Sequence, residues 1–500
     1  MKNYATVQLL AFGLALLITG NTPRAQAGQG EADAKRAFDF ASGVEAYDAA
    51  YRKARRVIAA DVKDGKFLAG QNWSQVWTRD TSYSVELACA LLYPDVSKTT
   101  LLGLTQSVEG LGECWFQDKC GHFAGWPNLT DAIVGASGAW SLYLVTGDRE
   151  LLRPIYERTV RSLKRAERDA FNPQLGLFSG CASFMESNSG YPKKYAMKGE
   201  MLAKTYALST CLLYYRGYTV AAQAANALGQ DIRRNRTNRA MKTSELQAWE
   251  ALSEDAGAWQ EKAEKLEAAI NARFWLPDKG YYAYFLDETG ALNPRMEGLG
   301  EAFAILTGVA DADRARQILR STPTTAWGLP CLWPQFEEWR DYKRDFAHYY
   351  HNGMIWPFVQ GYWAWAASKS RDLPVFSREL DALVKLSEKN DTFMELYRPE
   401  DGAPDGSPRQ LWSASGFLSI IYHGLFGMDF QKNGIRFAPV VPERFEQLTL
   451  DNVKYRNSQL RIVVKGHGIA GGLKVDGRPQ NQPFFDAALT GPHEIEILMR

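Results

Sequence analysis

Apolar side chains recur every three or four positions through most of the chain between about residue 35 and residue 428. This spacing predicts amphipathic helices, and Val44 to Val62 shows it clearly. Twelve segments share the pattern: residues 44–62, 81–94, 98–110, 130–147, 149–168, 199–228, 243–273, 297–308, 312–320, 351–369, 373–389 and 412–426. The periodicity alone predicts a large, mainly α domain. Twelve helices paired into six antiparallel hairpins would close into an (α/α)6 barrel, or toroid, with the long loops gathered at one end.

The pattern changes towards the C terminus. From Gly434 onward, apolar and polar residues alternate with a period of two, and Gly-rich and Asp-Gly turns separate the runs. This alternation predicts short strands in a small β-sheet or sandwich. We therefore expect the helical barrel to occupy residues 28–430 and a β-sandwich-like module to occupy residues 431–500.

The first residues have the composition of a secretory signal peptide. Lys2 supplies a positive start, Leu9 to Ile18 is an apolar run, and Ala25-Gln26-Ala27 fits the A-x-A cleavage pattern. We expect cleavage after residue 27 and export of the protein to the periplasm or the medium. The rest of the chain contains no run of the roughly 20 apolar residues that a transmembrane helix needs, so no stable membrane anchor is expected after cleavage.

Composition narrows the classes of partner. The 500 residues carry 58 Lys and Arg against 57 Asp and Glu, so electrostatics gives no reason to expect nucleic acid or an anionic membrane. The chain is rich in aromatic residues, with 15 Trp, 23 Tyr and 24 Phe. Core packing accounts for many of these, but sugar-binding clefts also use flat rings.

The cysteines leave two interpretations open. In an oxidising compartment Cys114 and Cys120 could close a short disulfide loop, whereas buried free thiols are equally compatible with their setting. There is no C-x-x-C pair with a matching His cluster, so a structural zinc site is not expected. No cofactor is indicated either.

The first chemical cluster is the run WSQVWTRDTSY, which contains Trp77, Arg79 and Asp80 just before a predicted helix. The Arg is a fixed fork of donors and the Asp an acceptor, so together they could bind neighbouring sugar hydroxyls. The alternative is that Asp80 caps the helix and pairs with Arg79.

The second cluster is the loop GLFSGCASFMESNSGYP, whose single carboxylate, Glu186, stands among Phe184, Met185 and Tyr191. Apolar surroundings raise the pKa of a carboxyl, which suits a general acid near neutral pH. An exposed loop glutamate is the alternative.

The third cluster, TFMELYRPEDGAPDGSPRQLWSAS, places Glu395 between Met394 and Leu396. Gln410 and Trp412 then open the last helix. Three further acids of this stretch lie in a Pro- and Gly-rich turn and are expected to be solvated: Glu400, Asp401 and Asp405.

Between these clusters stands HYYHNGMIWP, with His348 and His351 in i, i+3 spacing, followed by Asn352 and Trp356. No third ligand with suitable spacing accompanies the histidines, so no metal is expected, and hydrogen bonds to sugar hydroxyls or loop packing are favoured. Trp126 and Asp131, beside the start of the 130–147 helix, complete the proposed substrate-binding set.

Other chemistries lack their motifs. The sequence has no G-x-S-x-G elbow, P-loop, G-x-G-x-x-G after a strand, or H-E-x-x-H. What remains is a pair of carboxylates on different loops of a helical barrel, among aromatic residues.

Three segments resemble a known superfamily. VWTRDTSYS looks like the W-x-R-D loop of the six-hairpin glycosidases, which include glucoamylase-like and debranching-enzyme-like families. ELYRPEDGAPDGSPRQLWSASGF and HNGMIWPF resemble blocks of the glucosidase and trehalase families in that superfamily, and LTLDNVKYRNSQLRIVVKGHG looks like the β-module that follows such barrels. The resemblance covers most of the chain beyond the predicted signal peptide.

The resemblance implies an inverting glycoside hydrolase of (α/α)6 fold. Glu395 matches the general base that activates water, and Arg79 and Asp80 match residues that hold the non-reducing sugar in the innermost subsite. The relatives' general acid lies in the middle loop, where this chain reads FMESNSGYP without an Asp at the usual place. Glu186 is the carboxylate available there.

The expected reaction is hydrolysis of a terminal glycosidic bond, with an α-glucoside favoured as the substrate. Rhamnose or mannose as the terminal sugar is an alternative. Two further alternatives differ in kind: phosphorolysis on the same fold, with phosphate in place of water, and an inactive sugar-binding accessory protein.

Overall fold

The computed structural model describes residues 39–119, 125–129, 131–186, 189–196, 198–234, 241–339 and 350–500. The predicted signal peptide, residues 1–27, lies outside these ranges and stays a prediction. Cys120 and His348 also lie outside them. Cys114 is a buried free cysteine in the structure, in line with the second of the two interpretations of its thiol.

Helices dominate the first four-fifths of the described chain, as the periodicity predicts. None of those in the described ranges has both the length and the apolar character needed to cross a membrane. The principal helices are α1 (Glu45–Ala60), α2 (Thr78–Ser84, continued by a π-helical turn at Val85–Cys89 and by Ala90–Leu92), α3 (Pro94–Gly103), α4 (Val134–Thr146), α5 (Leu152–Asp169), α6 (Leu208–Arg234), α7 (Thr243–Phe274), α8 (Gly298–Thr307), α9 (Ala312–Ser321), α10 (Pro357–Lys369), α11 (Leu373–Glu388) and α12 (Leu411–Ser419, continued by a π-helical turn at Ile420–Leu425).

The even-numbered helices form a closed inner ring. Each of α2, α4, α6, α8, α10 and α12 packs against the next one, and α12 returns to pack against α2. The odd-numbered helices lie outside: α5 and α7 pack on α6, for example, and α11 packs on α10. The sequences explain which helices are inner and which are outer. The inner helix α10 is apolar on nearly all sides and almost completely buried, whereas the outer helix α5 is amphipathic. The predicted (α/α)6 toroid is confirmed.

Two glycines allow neighbouring inner helices to touch through their backbones. A Cβ atom on Gly361 of α10 would lie 2.5 Å from the carbonyl oxygen of Gly416 in α12. A Cβ atom on Gly416 would lie 2.4 Å from the carbonyl oxygen of Pro357. These backbone contacts bring the start of α12, next to the third chemical cluster, directly against the start of α10.

Three predicted helix boundaries are wrong. The helix expected over 98–110 spans Pro94–Gly103 instead, and Thr105–Val108 is a strand paired with Gly112–Trp115. The helix expected to start at residue 199 starts at Leu208. The helix expected to start at residue 351 begins at Pro357, because residues before a proline disfavour helical dihedrals and Pro357 occupies the first helical position.

Short strands and helical turns shape the loops between the principal helices. Paired strands are Val62–Lys63 with Lys66–Phe67, Phe171–Asn172 with Leu177–Phe178, Trp275–Leu276 with Tyr281–Tyr282, Met296–Glu297 with Leu332–Trp333, Leu396–Tyr397 with Pro404–Asp405, and Phe285–Leu286 with both Tyr206–Ala207 and Leu292–Asn293. The short helical turns are Asp131–Ile133, Arg149–Leu151, Lys193–Tyr195, Gly199–Leu202 and Glu337–Trp339.

The C-terminal residues form two sheets, as the alternating pattern predicts. The strands are β1 (Asp39–Ala41), β2 (Met428–Gln431), β3 (Gly434–Phe437), β4 (Val440–Val441), β5 (Gln447–Tyr455), β6 (Ser458–Lys465), β7 (Gly468–Val475), β8 (Arg478–Pro479), β9 (Phe484–Asp486) and β10 (Gly491–Met499).

One sheet has the order β1-β5-β6-β10-β7-β4 with β8 paired to β7, and the other has the order β2-β3-β9. The pair β6–β10 is parallel, and the other pairs are antiparallel. β1 was not predicted: Phe40 pairs with Leu450, so the start of the described chain completes the sheet. The boundary expected at residue 430 stays a prediction.

The contact between α10 and α12 generates a stability prediction. We expect Gly416→Ala to lower the free energy of unfolding by about 1–3 kcal/mol or more, because the added methyl group meets backbone that has no rotamer with which to yield. Gly257→Ala is the matched control, since no atom lies within 4 Å of its added Cβ and it occupies the exposed interior of α7. This control should stabilise by about 0.5–1 kcal/mol. Urea unfolding of both variants checks this, and equal effects would contradict it.

Candidate active site

The predicted chemical residues lie at one end of the inner ring. Arg79 and Asp80 occupy the first turn of α2, Asp131 precedes α4, Glu186 precedes α6, and Glu395 precedes α12. All therefore come from the N-terminal ends of inner helices or from the loops leading into them. The negative charges of both Glu186 and Glu395 raise the pKa of Asp80, an effect that falls off with distance. The structure thus brings together loops that are far apart in sequence.

Arg79 is surrounded by carboxylates. Its Nη2 donates to Glu186 Oε1 at 3.1 Å, and its Nε lies 3.7 Å from Asp131 Oδ2 and 3.9 Å from Asp118 Oδ2. The Arg79 side chain is only 4% exposed. The three partners of the guanidinium given above are all carboxylates. The predicted contact of Arg79 with sugar hydroxyls stays a prediction.

Asp118 fixes the start of α2. The backbone N–H groups of Thr78 and Arg79 donate to its Oδ1 at 2.8 Å and its Oδ2 at 3.1 Å. The alternative in which Asp80 caps this helix is therefore wrong. Burial raises the pKa of Asp118 to about 6, against the opposing charge of Arg79. Sequence reasoning missed Asp118, because its partners lie some 40 residues earlier in the chain and no local pattern marks it.

Asp80 is a buried carboxyl with no donor among the described residues. It is 1% exposed, and neither of its oxygens accepts a hydrogen bond from the part of the chain that the structure describes. Burial raises its pKa well above the ordinary value, although Arg79 opposes the shift. Buried acceptors are almost always paired, so these oxygens mark a place where a ligand's hydroxyl groups could donate.

Asp131 connects Arg79 to the loop that carries Glu186. Its Oδ2 accepts a hydrogen bond from Ser183 Oγ at 2.9 Å, and that hydroxyl also contacts Tyr83 Oη at 2.5 Å. Burial raises the pKa of Asp131, again opposed by Arg79. The structure places this predicted substrate-binding residue beside Arg79.

Glu186 is buried, so the alternative of an exposed loop glutamate is wrong. It is 6% exposed, and the residue two positions earlier, Phe184, has a φ of 58°. A bulky residue in this left-handed region costs about 1–3 kcal/mol and is found mostly where function demands it. Tyr350, with a φ of 46°, is a second such residue in the site.

Glu395 receives three hydrogen bonds from neutral donors. Its Oε1 accepts from Tyr350 Oη at 2.9 Å, and its Oε2 accepts from the Ser407 backbone N–H at 2.7 Å and Trp73 Nε1 at 3.2 Å. Burial raises the pKa of Glu395, while these three donors lower it by stabilising the anion. A Cβ atom on Gly406 would lie 2.6 Å from Glu395 Oε2, so the turn can wrap the carboxylate only with glycine there.

An aromatic wall lies beside Glu186. The rings of His351 and Trp356 lie 5.3 and 5.2 Å from that of Phe184, and Trp412 lies 5.8 Å from Trp356. Burial, followed by the charge of Arg79, lowers the pKa of His351 well below its usual value, so its ring is neutral. Trp412 Nε1 has no hydrogen-bond partner among the described residues. These rings are buried against one another, so what the wall offers a ligand is the Trp412 Nε1 donor.

The remaining predicted residues differ in placement. Gln410 is buried, and its Oε1 accepts no hydrogen bond within the described ranges. Trp77 is half-buried with its ring 5.7 Å from that of Trp73. The Asn352 amide is engaged with a backbone: its Oδ1 accepts from Phe336 N–H at 2.7 Å, and its Nδ2 donates to the Phe336 carbonyl at 3.1 Å.

Trp126 is directed towards α5. Its Nε1 donates to Asp169 Oδ2 at 2.9 Å, and the Arg165 guanidinium lies 3.9 Å from its ring centre. These contacts do not join it to the carboxylate cluster around Arg79. A role of Trp126 in substrate binding stays a prediction.

Besides Asp118, sequence reasoning missed four residues that hold carboxylates of the site, three of them bonded to Glu395 and Ser183 bonded to Asp131. They are Trp73, Tyr350, Ser183 and Ser407. Trp73 and Tyr350 lie inside segments that the sequence already singled out, so an aromatic residue with a hydrogen-bond donor near a candidate carboxylate was an available signal. Ser183 and Ser407 carry none.

Histidine, cysteine and acidic side chains were considered as metal ligands. Within the described ranges no group of three or more of them could hold a metal ion. His348, the other member of the spaced histidine pair, lies outside those ranges.

Two protein-family models match the chain. The mannosylglycerate hydrolase MGH1-like glycoside hydrolase domain matches residues 127–413, and the C-terminal domain of glycosyl hydrolase family 65 matches residues 428–473. The first match extends over more than half of the sequence and includes Asp131, Glu186 and Glu395. No curated protein matches the chain by sequence.

Solved structures share the fold. A GH63 mannosylglycerate hydrolase from Thermus thermophilus superposes with a TM-score of 0.54 at 16% identity, over 74% of this chain and 99% of that one. A GH78 rhamnosidase of Bacillus sp. GL1 gives 0.56 at 14% identity, over 86% and 42%. A sialidase gives 0.67 at 14% identity, over 90% of this chain and 41% of its own, so this chain spans about two-fifths of the sialidase's length.

The charge balance around Arg79 generates a prediction. We expect Arg79→Met to lower the free energy of unfolding by about 3–5 kcal/mol at pH 8, because it leaves buried carboxylates without their cation. The loss should be smaller at pH 5. The pKa of Asp118 is already raised to about 6 with the arginine present, so below that pH the folded protein can neutralise the group by protonation.

Arg398→Met is the matched control, since it breaks the solvent-exposed pair with Asp401. This control should cost less than about 1 kcal/mol at either pH. Urea unfolding at both pH values measures the two variants. An equally large loss for Arg79→Met at pH 5 and pH 8 would contradict the electrostatic account.

Proposed function

Because the chain belongs to the family of MGH1-like glycoside hydrolases, we propose that it hydrolyses a terminal glycosidic bond with inversion, with Glu186 as general acid and Glu395 as general base. The observation that carries the proposal is the contrast between these two buried carboxyls. Glu186 stands in a cluster of carboxyls around one arginine, whereas Glu395 is bonded to three neutral donors. Two carboxyls in different environments are what acid and base roles require.

The proposed base is Glu395. A general base must be ionised before it accepts a proton from water. Tyr350, Trp73 and the Ser407 N–H stabilise the ionised form without adding a positive charge, which would make the carboxylate a weaker base. Oε2 already accepts two of these bonds, whereas Oε1 accepts one, from Tyr350, so Oε1 keeps a lone pair to which a water molecule can donate.

The proposed acid belongs to a group of carboxyls that retains protons. Asp80, Asp118, Asp131 and Glu186 are all buried near Arg79, which among the described residues is the one cation in contact with this group. Ionising all four would leave uncompensated negative charge in a buried region, which is costly. A proton therefore stays in this group near neutral pH. We assign its delivery to Glu186, because it lies on the loop that the resemblance identifies with the acid.

The group that holds the substrate is proposed from unfilled hydrogen-bonding capacity. Both oxygens of Asp80, Gln410 Oε1 and Trp412 Nε1 lack partners within the described ranges. Hydroxyl groups of a sugar both donate and accept, so one ring could satisfy these atoms together.

Two candidate substrates are proposed, each on a different ground. The motif resemblance favours an α-glucoside. The family match favours a second candidate, mannosylglycerate, because that substrate gives the family its name. The rhamnosidases among the structural neighbours keep a terminal rhamnoside in the test panel.

The proposed reaction is tested by following the anomeric configuration of the first product with proton NMR. The panel contains α-glucosides, mannosylglycerate and aryl rhamnosides, each incubated with and without phosphate. We expect one of these substrates to release a sugar of inverted configuration at a rate independent of phosphate. A product of retained configuration, or a sugar phosphate formed only with phosphate present, would contradict the proposal.

Glu395→Gln in the same assay tests the base. The amide cannot accept the proton, so turnover should fall by about 10²–10⁴-fold while the unfolding midpoint changes little. Glu400→Gln is the control, since it removes an exposed carboxylate of the same loop. Near-normal turnover by purified Glu395→Gln would remove Glu395 from the mechanism.

Glu186→Gln tests the acid through the leaving group. A sugar or glycerate is a poor leaving group unless its bridging oxygen is protonated, whereas fluoride departs largely without protonation. The variant should lose about 10²–10⁴-fold on the natural glycoside and much less on the corresponding glycosyl fluoride. Equal losses on both substrates would mean that Glu186 positions the sugar and does not protonate it.

A further inference from the structure

A concave site lies away from the end of the inner ring that carries the proposed catalytic carboxyls. A cavity of about 730 Å³ is lined by residues of all six inner helices and by the strands β2 and β3. The proposed catalytic carboxyls, by contrast, lie on the loops that lead into the N-terminal ends of these helices, and none of them lines the cavity. Ligand sites in proteins have volumes of about 300–1,000 Å³. The cavity has the size of a ligand site and no part in the proposed reaction.

Both π-helical turns line this cavity. The turn at Val85–Cys89 supplies Glu86, and the turn at Ile420–Leu425 supplies His423. Such turns are rare, cost regular helical hydrogen bonds, and are found frequently at functional sites. Their occurrence on neighbouring inner helices, α2 and α12, facing the same cavity, is a second observation that singles out this region.

The walls combine flat rings with hydroxyl groups. Trp365 is stacked on His423, with ring centres 3.9 Å apart, and remains partly exposed to the cavity. Trp140 of α4 lines the cavity as well. Ser137 is 3% exposed, lines the cavity, and its Oγ has no hydrogen-bond partner in the described ranges. Rings beside unsatisfied hydroxyl groups suit a sugar, which presents C–H faces and hydroxyls.

The charges lining the cavity do not cancel. The lining contains four cations and two anions, a difference of 4 − 2 = +2: Arg216, Lys369, Arg371, Arg436, Glu86 and Asp429. Arg216 is ion-paired with Glu86. The charge of Asp429 acts on Lys369, whose Nζ donates to the carbonyl oxygen of Leu306 at 2.6 Å. Asp429 also lies directly opposite Arg436 in the antiparallel pair β2–β3, so its one negative charge is shared between Lys369 and Arg436. The surplus positive charge is therefore spread over Lys369, Arg371 and Arg436.

The guanidinium groups of Arg371 and Arg436 are exposed and have no hydrogen bond or ion pair with any residue in the described ranges. Cations commonly stabilise helix C-termini, and this explains Lys369, which bonds the end of α8. Arg436 lies on strand β3 opposite Asp429 of β2, and within the described ranges no hydrogen bond or ion pair joins the two side chains. Two such guanidinium groups beside a cavity are suited to a carboxylate or a phosphate, which they can bind through paired hydrogen bonds.

We propose that this cavity is a second binding site, which takes a sugar bearing an anionic group, either a carboxylate or a phosphate. The sugar ring would lie against Trp365, its hydroxyls would reach Ser137 and neighbouring polar side chains, and its anionic group would meet Arg371 and Arg436. The proposal does not rest on the hydrolytic function assigned to the catalytic end of the ring.

Isothermal titration calorimetry on the full chain tests the site, with glucuronic acid, glucose 6-phosphate, glucose and inorganic phosphate as probes. We expect saturable binding of glucuronic acid, glucose 6-phosphate or both, and at least about tenfold weaker binding of glucose and of inorganic phosphate. Binding of only one anionic sugar identifies which group the site takes. No binding of either anionic sugar, or equal binding of glucose or phosphate, overturns the proposal.

Variants then locate the binding. Arg436→Gln and Arg371→Gln should each weaken the anionic sugar by about tenfold or more, whereas the control Arg478→Gln, an exposed arginine of β8 away from the cavity, should not. Both cavity arginines are exposed, so we expect the variants to keep the wild-type unfolding midpoint. Unchanged affinity in both cavity variants would place the ligand elsewhere and overturn the proposal.

Discussion

The buried contact of Arg79 with Asp118, Asp131 and Glu186 is the interaction on which the candidate site depends. The four residues come from four segments. Arg79 lies in the first turn of α2, Asp118 in the loop after the strand Gly112–Trp115, Asp131 in the turn before α4, and Glu186 in the loop before α6. One guanidinium thus fixes the entry points of three successive inner helices. Among the described residues this guanidinium is the one cation in contact with the three carboxyls, and burial raises the pKa of Asp118 and of Asp131 despite it.

The carboxyls around Arg79 and the carboxyl of Glu395 therefore have different environments, which act on their pKa values in different ways. On the Arg79 side, burial and mutual repulsion favour protonated carboxyls, which raises the pKa of Asp80, Asp118 and Asp131. On the Glu395 side, three neutral donors favour the anion. The same fold therefore provides a place where a proton can be stored and a place where one can be accepted, as hydrolysis of a glycoside by two carboxyls requires.

The helical ring was predictable because its signal is local and repeated. Outer helices such as α5 are amphipathic and inner ones such as α10 are apolar on nearly all sides, and twelve helices limit the possible architectures. The strand Thr105–Val108 was not predictable in this way, since its partner and turn decide its conformation. The buried state of Glu395 follows from its apolar neighbours in sequence, but its donors Tyr350 and Trp73 come from loops 45 and 322 residues away. Asp118 is the clearest case: its role is fixed entirely by distant backbone groups.

The most direct test of this account is the pH dependence of hydrolysis by Tyr350→Phe. Removing the hydroxyl takes away one of the donors that lower the pKa of Glu395, so the base should hold its proton to higher pH. The acidic limb of the profile of kcat/KM against pH should move to higher pH. In the control Tyr47→Phe, which removes a hydroxyl bonded to Asp381 between outer helices, it should not move. An acidic limb that stays in place or moves to lower pH in Tyr350→Phe would contradict the assignment of Glu395 as the ionised base.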